Sequence, residues 1–163
     1  MKKLVLILLF VLFLPHYSSA QTSTENQNIF AKSYDYVNDF ENILTPKQAK
    51  DLNDFLKSSE AKTKSKILIV SAASVSPYKD LNEYSLYLDN YLFSKLKIDT
   101  SILIVISKQL RQIQFQGVAK IGAKITDQEL KDIIANYVIP ELKKGDYYKG
   151  LQEGTHQLVK KIE

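Results

Sequence analysis

The sequence contains no cysteine. This absence excludes disulfide bonds, thiol catalysis, zinc sites built from thiolates and an acylated amino-terminal cysteine. Histidine is almost as scarce, because His156 is the only one beyond the first twenty residues. His156 lies off the apolar stripe of the last predicted helix, so we expect it to be neither a catalytic group nor a ligand.

The usual arrangements for nucleophilic catalysis and for phosphate binding are also missing. The chain has no Walker loop and no Asp-x-Asp pair, and without cysteine or a histidine partner no activated nucleophile stands out. What remains is carboxylates at the mouths of loops. Carboxylate oxygens suit hard cations such as Ca²⁺ and Mg²⁺.

A large excess of charge of one sign is missing as well. The sequence has 22 basic and 18 acidic residues, and removing Lys2 and Lys3 with the first twenty residues leaves a net charge of +2. A nucleic-acid-binding domain usually has a markedly basic face. The composition therefore argues against a nucleic-acid partner.

The chain begins like an exported protein. Lys2 and Lys3 precede an apolar run over residues 4–14, which Pro15 and small polar residues follow. We interpret residues 1–20 as a signal peptide that is cleaved after Ala20, because the apolar run is shorter than the roughly 20 residues needed to span a bilayer. No later run approaches that length. We expect a soluble monomer in the periplasm or outside the cell, with a polar leader over 21–33 and one domain over 34–163.

Two apolar segments predict a parallel sheet. Residues 66–73 and 101–108 are β-branched and apolar without alternation, the pattern of strands buried on both faces. Between them, residues 80–96 predict a helix with Asp80 as N-cap and Glu83 three residues later. A strand, a helix and a strand at this spacing form a right-handed crossover between parallel strands.

The remaining segments complete a layered α/β fold. Residues 111–117 alternate, with Ile113 and Phe115 inward and three glutamines outward, and predict an antiparallel hairpin strand. Capping boxes predict helices that start at Thr45 and Thr126, and the second is expected to end at Pro140. A last helix is predicted from near Asp146. The fold class is α/β, a three-layer αβα sandwich around a small mixed sheet.

Tyrosines are common on the predicted helices. Helical spacing favours core positions for Tyr84 and Tyr91, and surface positions for Tyr87 and Tyr148.

Several strings resemble the TPM-domain family, which includes thylakoid lumen acid phosphatase-like proteins and exported bacterial proteins. These strings are "YVNDFENILTPKQAKDL", "KILIVSAASV", "DTSILIVIS", "ITDQEL" and "VIPELKKGDYYKGLQEGTHQLV". The resemblance covers about residues 36–162 and implies an αβα sandwich. It also implies the properties associated with family members, which are acid phosphatase activity, repair of photosynthetic complexes and divalent-cation binding.

The last of these strings contains three of the five glycines. Gly145 fits a turn and Asp146 the N-cap of the next helix. Gly150 and Gly154 lie one helical turn apart, although each costs a helix about 1 kcal/mol relative to alanine. We interpret them as a bare strip that lets the last helix approach its neighbour.

The chain departs from the family pattern at the positions that the resemblance assigns to a cation site. Asp99, Thr100 and Ser101 stand where many members have Asp-Asn-Gly, so only the acid remains. The segment Gly117 to Ile121 stands where the family commonly has Gly-Tyr-Gly-Leu-Glu, so the glutamate is replaced by Ile121 and preceded by Lys120. Asp127 still matches the family's acid before the next helix.

We therefore predict a weak or vestigial Ca²⁺ or Mg²⁺ site at Asp99 and Asp127, with no catalytic residue assigned. Two plainer roles stay open: Asp99 as a turn residue, and Asp127 as an acid that interacts with a helix dipole. Asp99 also enters its strand from the amino end, unlike residues of an ordinary nucleotide crevice. The predicted function is an interaction module with an envelope protein as partner. The alternative is a metal-assisted acid phosphatase for phosphomonoesters.

Overall fold

The computed structural model describes residues 28–163. The predicted signal peptide and the first part of the polar leader lie outside these residues. Within them, no helix combines the length and the apolar character needed to cross a membrane. Phe30, in the segment predicted as a leader, is buried and its ring stacks 5.4 Å from that of Tyr78.

A four-stranded mixed sheet forms the middle layer. Its strands are β1 (Val37–Asp39), β2 (Ile67–Ser71), β3 (Ile102–Ser107) and β4 (Gln112–Gln116), in that order across the sheet. The pairs β1–β2 and β2–β3 are parallel, and β3–β4 is an antiparallel hairpin. Every residue of β2 and β3 is buried, which confirms the two predicted central strands. The sequence analysis missed β1, because three residues with one apolar side chain show no periodicity.

Four of the five α-helices within residues 28–163 begin at the predicted caps. The five are α1 (Pro46–Thr63), α2 (Leu81–Ser94), α3 (Asp127–Ile133), α4 (Ile139–Lys143) and α5 (Tyr147–Ile162), of which α4 was not predicted. Thr45 and Thr126 each form the reciprocal capping box, and Asp80 accepts a hydrogen bond of 2.8 Å from the Glu83 N–H. These side chains satisfy N–H groups that the first helical turn leaves unpaired.

Pro140 does not stop the helix that contains α3, so that prediction is wrong. The helical path continues from α3 through a π-helical turn (Ile134–Val138) into α4, and Pro140 lies in the first turn of α4. A first helical turn tolerates proline because the missing N–H has no helical partner there. The path ends instead at Gly145, whose N–H donates to the Leu142 carbonyl at 3.0 Å and whose φ of +83° favours glycine.

Two apolar clusters fill the spaces on either side of the sheet, which confirms the sandwich. One face of β2 and β3 packs against α1, α3 and α5. The opposite face packs against α2 and the segment that holds Phe30. The glutamine face of β4 also meets α2, where the Gln116 amide donates to the Ser85 hydroxyl oxygen at 2.9 Å.

The tyrosine predictions are half right. Tyr84 is 5% exposed and Tyr87 is 53% exposed, as the helical spacing indicates. Tyr91 and Tyr148 are both half-buried. Tyr91 lies at the edge of the α2 cluster, and Tyr148 packs against the cluster on the other face.

Candidate functional site

Asp99, Thr100 and Ser101 lead into β3 at the amino end of the parallel strands. The Ser101 N–H donates to the Lys66 carbonyl at 2.8 Å, and the Ser101 hydroxyl oxygen accepts from the Lys66 N–H at 3.1 Å. Thr100 is buried, and its hydroxyl donates to the Asp89 carboxylate at 2.6 Å. Bonds to Lys66, just before β2, and to α2 thus fix the backbone beside Asp99.

Gly117 brings the segment after β4 onto the start of β3. Its φ is +82°, and a Cβ atom there would lie 2.8 Å from the Ser101 carbonyl oxygen. A side chain is therefore disfavoured by backbone conformation and by space. The short 3-10 helical turn Val118–Ile121 follows directly and carries Lys120 to this edge.

Lys120 forms hydrogen bonds with oxygen atoms of both Asp99 and Thr100. Its ammonium group donates to Asp99 Oδ1 at 2.6 Å and to the Thr100 carbonyl oxygen at 2.9 Å. The side chains of Lys120 and Asp99 are 42% and 68% exposed, and exposed ion pairs contribute only about 0–1 kcal/mol. The contact is nevertheless specific, because one cationic group bridges a carboxylate and a backbone carbonyl.

Ile121 belongs to the core. It is 6% exposed and lies in the cluster between the sheet and α1, α3 and α5. The position that the resemblance assigns to a glutamate thus serves packing in this chain.

Asp127 is the first residue of α3 and is exposed. Among residues 28–163 its carboxylate forms no hydrogen bond or ion pair, and its place in the first turn suits the helix dipole. Its neighbour Glu129 accepts from the Thr126 N–H at 2.9 Å and pairs with the Lys161 ammonium at 2.6 Å. The Lys161 contact, followed by the bonds from Thr126, lowers the pKa of Glu129 to about 2.

The described part of the chain contains no group of three acidic or histidine side chains that could hold a metal ion. The structure brings Asp99 together with Lys120, and Asp127 takes no part in that contact. Sequence reasoning noted Lys120 as an added positive charge but did not predict that it binds Asp99.

A second polar cluster at this edge was missed. The Tyr36 hydroxyl donates to Glu60 at 2.6 Å, and the Lys66 ammonium lies 2.9 Å from the same oxygen. Burial raises the pKa of Glu60, but the hydrogen bonds from Tyr36 and Lys66 outweigh burial, so the pKa is lowered. A cavity of about 270 Å³ lined by Tyr36, Lys66, Lys97 and Asp99, among others, joins the cluster to the first site. The one sequence signal was Lys66 at the start of a buried strand.

The acids at the carboxyl ends of the parallel strands bind backbone or hydroxyl groups. Asp39 accepts from the Ser71 hydroxyl at 2.5 Å and from the Leu44 N–H at 2.8 Å. Glu41 accepts from the N–H groups of Lys108 and Gln109 at 2.8 and 2.7 Å. These carboxylates hold the loops at that edge together.

The comparisons with known proteins agree with this architecture. Residues 37–161 match the TPM domain. The fold is similar to that of the N-terminal domain of a protein from P. gingivalis, at 23% identity and a TM-score of 0.66, over 79% of this chain and 83% of that chain. Comparison with curated proteins finds no match.

Two further solved structures are similar. The BA42 protein from the psychrophilic bacterium Bizionia argentinensis is 20% identical, with a TM-score of 0.59 over 76% of this chain and 83% of that chain. The N-terminal domain of the cg2496 protein from Corynebacterium glutamicum is 13% identical, with a TM-score of 0.56 over 82% of this chain and 83% of that chain. At these identities the likeness establishes a shared fold.

Proposed function

The chain belongs to the TPM domain family, and we propose that this member is a non-catalytic interaction module exported to the cell envelope. The observation that carries the proposal is the Lys120 ammonium group, which bonds to Asp99 and to the Thr100 carbonyl. A cation that used those two oxygens would have to displace it.

A divalent-cation site with Asp99 and Asp127 as ligands is weak in this proposal. Calcium takes six to eight oxygen ligands, whereas Lys120 already neutralises Asp99 and Ile121 offers no oxygen. Metal-assisted phosphoryl transfer needs a cation that polarises the phosphoryl group and activates water. We therefore expect this domain to have negligible phosphatase activity.

The contact surface in this proposal comprises the loops around Asp99, Lys120 and Asp127. All three side chains are exposed and offer both signs of charge, which gives specificity in protein contacts. The amino-terminal signal sequence supports a periplasmic or secreted location, so we propose a protein of the cell envelope as partner.

Cation binding is tested by following the amides of Asp99, Gly117 and Asp127 by NMR while Ca²⁺ or Mg²⁺ is added. We expect no saturable shift below about 1 mM, because the carboxylate is already paired and the ligand number is small. Lys120→Leu removes the competing ammonium group and should strengthen calcium binding measurably. Lys57→Leu, on the exposed side of α1, is the matched control and should leave binding unchanged. Saturable sub-millimolar binding to the unsubstituted protein would contradict the weak site.

Catalysis is tested separately with p-nitrophenyl phosphate, with and without added Ca²⁺ or Mg²⁺. We expect turnover at the background rate under both conditions. Metal-dependent turnover that Asp99→Asn abolishes would contradict the interaction module and favour a metal-assisted acid phosphatase.

The partner surface is tested in cells of the source organism with a photoreactive residue at position 127 and, as control, at position 57. We expect a discrete covalent adduct with one envelope protein from position 127 alone. Equal adducts from both positions, or none from position 127, would count against this surface.

A further inference from the structure

A larger cavity lies at the opposite edge of the sheet from Asp99. Its volume is about 610 Å³, and its lining includes Ile106 and Ser107 at the carboxyl end of β3. In open α/β sheets, ligands bind beyond the carboxyl ends of the strands, and small-molecule sites usually measure about 300–1,000 Å³. Position and size both match a ligand site.

The walls of the cavity are partly apolar. Ile113, Ile139 and Leu142 line it and are only half-buried, so part of their apolar surface faces the opening. A ligand with an apolar body would remove this surface from water, at about 25 cal/mol per Å².

The charged side chains of the lining are all basic: Arg111, Lys143 and Lys144. Lys144 is paired with Glu141 at 2.8 Å. Within residues 28–163, neither Arg111 nor Lys143 has an acidic group within 4.0 Å. Lys108, whose ammonium group lies 5.7 Å from the centre of the Tyr147 ring, adds positive charge beside the cavity, since Tyr147 is part of the lining.

Two tight turns fix the backbone positions of the unpaired cations. Arg111 closes the β3–β4 hairpin at a φ of +54°, and its N–H donates to the Lys108 carbonyl at 3.2 Å. Lys143 ends α4 just before the Gly145 turn, in which the Asp146 N–H donates to the Glu141 carbonyl at 3.0 Å. A backbone that is ordered before binding loses less entropy when a ligand arrives.

We propose that this cavity binds a small organic anion that combines a carboxylate or phosphate group with an apolar chain. The oxyanion group lies between Arg111 and Lys143, where the planar guanidinium offers paired N–H donors to two oxygens. The apolar chain packs on Ile113, Ile139 and Leu142. The cavity is separate from the Asp99 edge, so this inference and the proposed function are tested independently.

The test is an NMR titration of the ¹⁵N-labelled protein with four probes: hexanoate, hexyl phosphate, hexanol and inorganic phosphate. We expect hexanoate or hexyl phosphate to shift the amides of Ser107, Ile113 and Gly145 saturably, and the tighter of the two identifies the preferred head group. Hexanol and inorganic phosphate each lack one half of the proposed ligand, so both should bind at least about tenfold more weakly. If hexanol binds as tightly as the anions, or inorganic phosphate as tightly as hexyl phosphate, the proposal is overturned.

Substitutions test whether Arg111 and Lys143 bind the anionic head group. Arg111→Gln and Lys143→Gln should each weaken the preferred probe about tenfold, because each removes a charge-assisted hydrogen bond. Lys57→Gln removes an exposed cation of α1, a helix that does not line the cavity, and should change affinity less than twofold. Amide spectra and melting temperatures of all three variants verify folding, and two substitutions on different turns guard against a local fold defect. Unchanged affinity in both cavity variants would also overturn the proposal.

Discussion

At the entry to β3, a single ammonium group bridges a carboxylate and a backbone carbonyl. Lys120 bonds the Asp99 carboxylate and the Thr100 carbonyl, while the next residue, Ile121, turns into the core. In the weak cation site that we propose, Ile121 would supply no ligand and Lys120 would compete for Asp99. Their combined effect on cation binding should exceed that of either alone, because few free oxygens would remain.

At the scale of a single residue, the lowered pKa of Glu129 can be tested through the pH dependence of protein stability. Its folded-state pKa is about 2, below the value of about 4.3 for an unperturbed glutamate. A lowered carboxyl pKa stabilises the fold fully above the unfolded value, and this stabilisation is lost as the pH falls through the folded value. We expect Glu129→Gln to lower the melting temperature at pH 6, and the difference from the unsubstituted protein to shrink from about pH 5 and vanish near pH 2.

Lys161→Gln is the matched partner variant, because it removes the Lys161 contact, which is the largest cause of the lowered Glu129 pKa. NMR titration of the Glu129 side chain should then give a higher pKa than in the unsubstituted protein. An unchanged carboxyl pKa in Lys161→Gln, or a stability difference for Glu129→Gln that persists to pH 2, would refute this account.

Among the elements, α5 carries glycine at two positions where the neighbouring helical segment packs closely against it. A Cβ atom on Gly154 would lie 2.5 Å from Cγ2 of Val138, and one on Gly150 would lie 3.2 Å from the Val138 carbonyl oxygen. Val138 is the last residue of the π-helical turn and is buried. The prediction that the two glycines form a close-approach strip is therefore confirmed, and the strip faces the π-helical turn and Leu142 of α4, whose Cδ2 would lie 3.1 Å from a Cβ atom on Gly150.

This packing predicts that Gly154→Ala destabilises the protein. Overpacking typically costs about 1–3 kcal/mol, which outweighs the roughly 1 kcal/mol by which alanine favours a helix over glycine. We expect the free energy of unfolding in urea to fall by up to about 2 kcal/mol, the overpacking cost less the helix gain.

The double variant Gly154→Ala, Val138→Ala supplies the control. Shortening Val138 removes the atom in conflict, so the two substitutions should be less damaging together than the sum of the single effects. Strict additivity, or a stabilised Gly154→Ala protein, would show that α5 does not approach this turn as closely as the structure has it.

At the scale of the whole molecule, stability depends on two apolar layers that share one sheet. Among residues 28–163, α2 is the only α-helix that contributes to the cluster on its face, so its inward side chains should contribute strongly to stability. Leu88 is 0% exposed, whereas Leu86, two residues earlier in the same helix, is 52% exposed.

The pair forms a matched experiment. Leu88→Ala should lower the free energy of unfolding by about 2–5 kcal/mol, since it leaves a cavity between α2 and the sheet. Leu86→Ala makes the same chemical change on the exposed side and should stay within about 0.5 kcal/mol. Urea unfolding of both variants measures the contrast. Similar losses of unfolding free energy in the two variants would mean that α2 does not pack on the sheet through the face that carries Leu88.

Much of this layered fold was accessible from local patterns. Unbroken apolar runs predicted β2 and β3, and the capping boxes at Thr45 and Thr126 predicted where α1 and α3 begin. The candidate site was accessible in part: Asp99, Lys120, Ile121 and Asp127 were singled out, but the pairing of Asp99 with Lys120 was not. The error at Pro140 has a local cause, because a proline rule does not distinguish a helix end from a first turn after a π-helical turn.

By itself, the sequence determined most of the helices and strands, where most of the helices begin and that Gly150 and Gly154 face a close neighbour. These properties depend on residues within a few positions of one another, and their periods and caps are visible in one chain. The tertiary structure alone decided that β1 pairs with β2, that Lys120 bonds Asp99 across 21 residues, and that Tyr36, Glu60 and Lys66 meet. It also decided that Arg111 and Lys143 line one cavity. Such contacts join residues far apart in the chain, and only the packing of the layers brings them together.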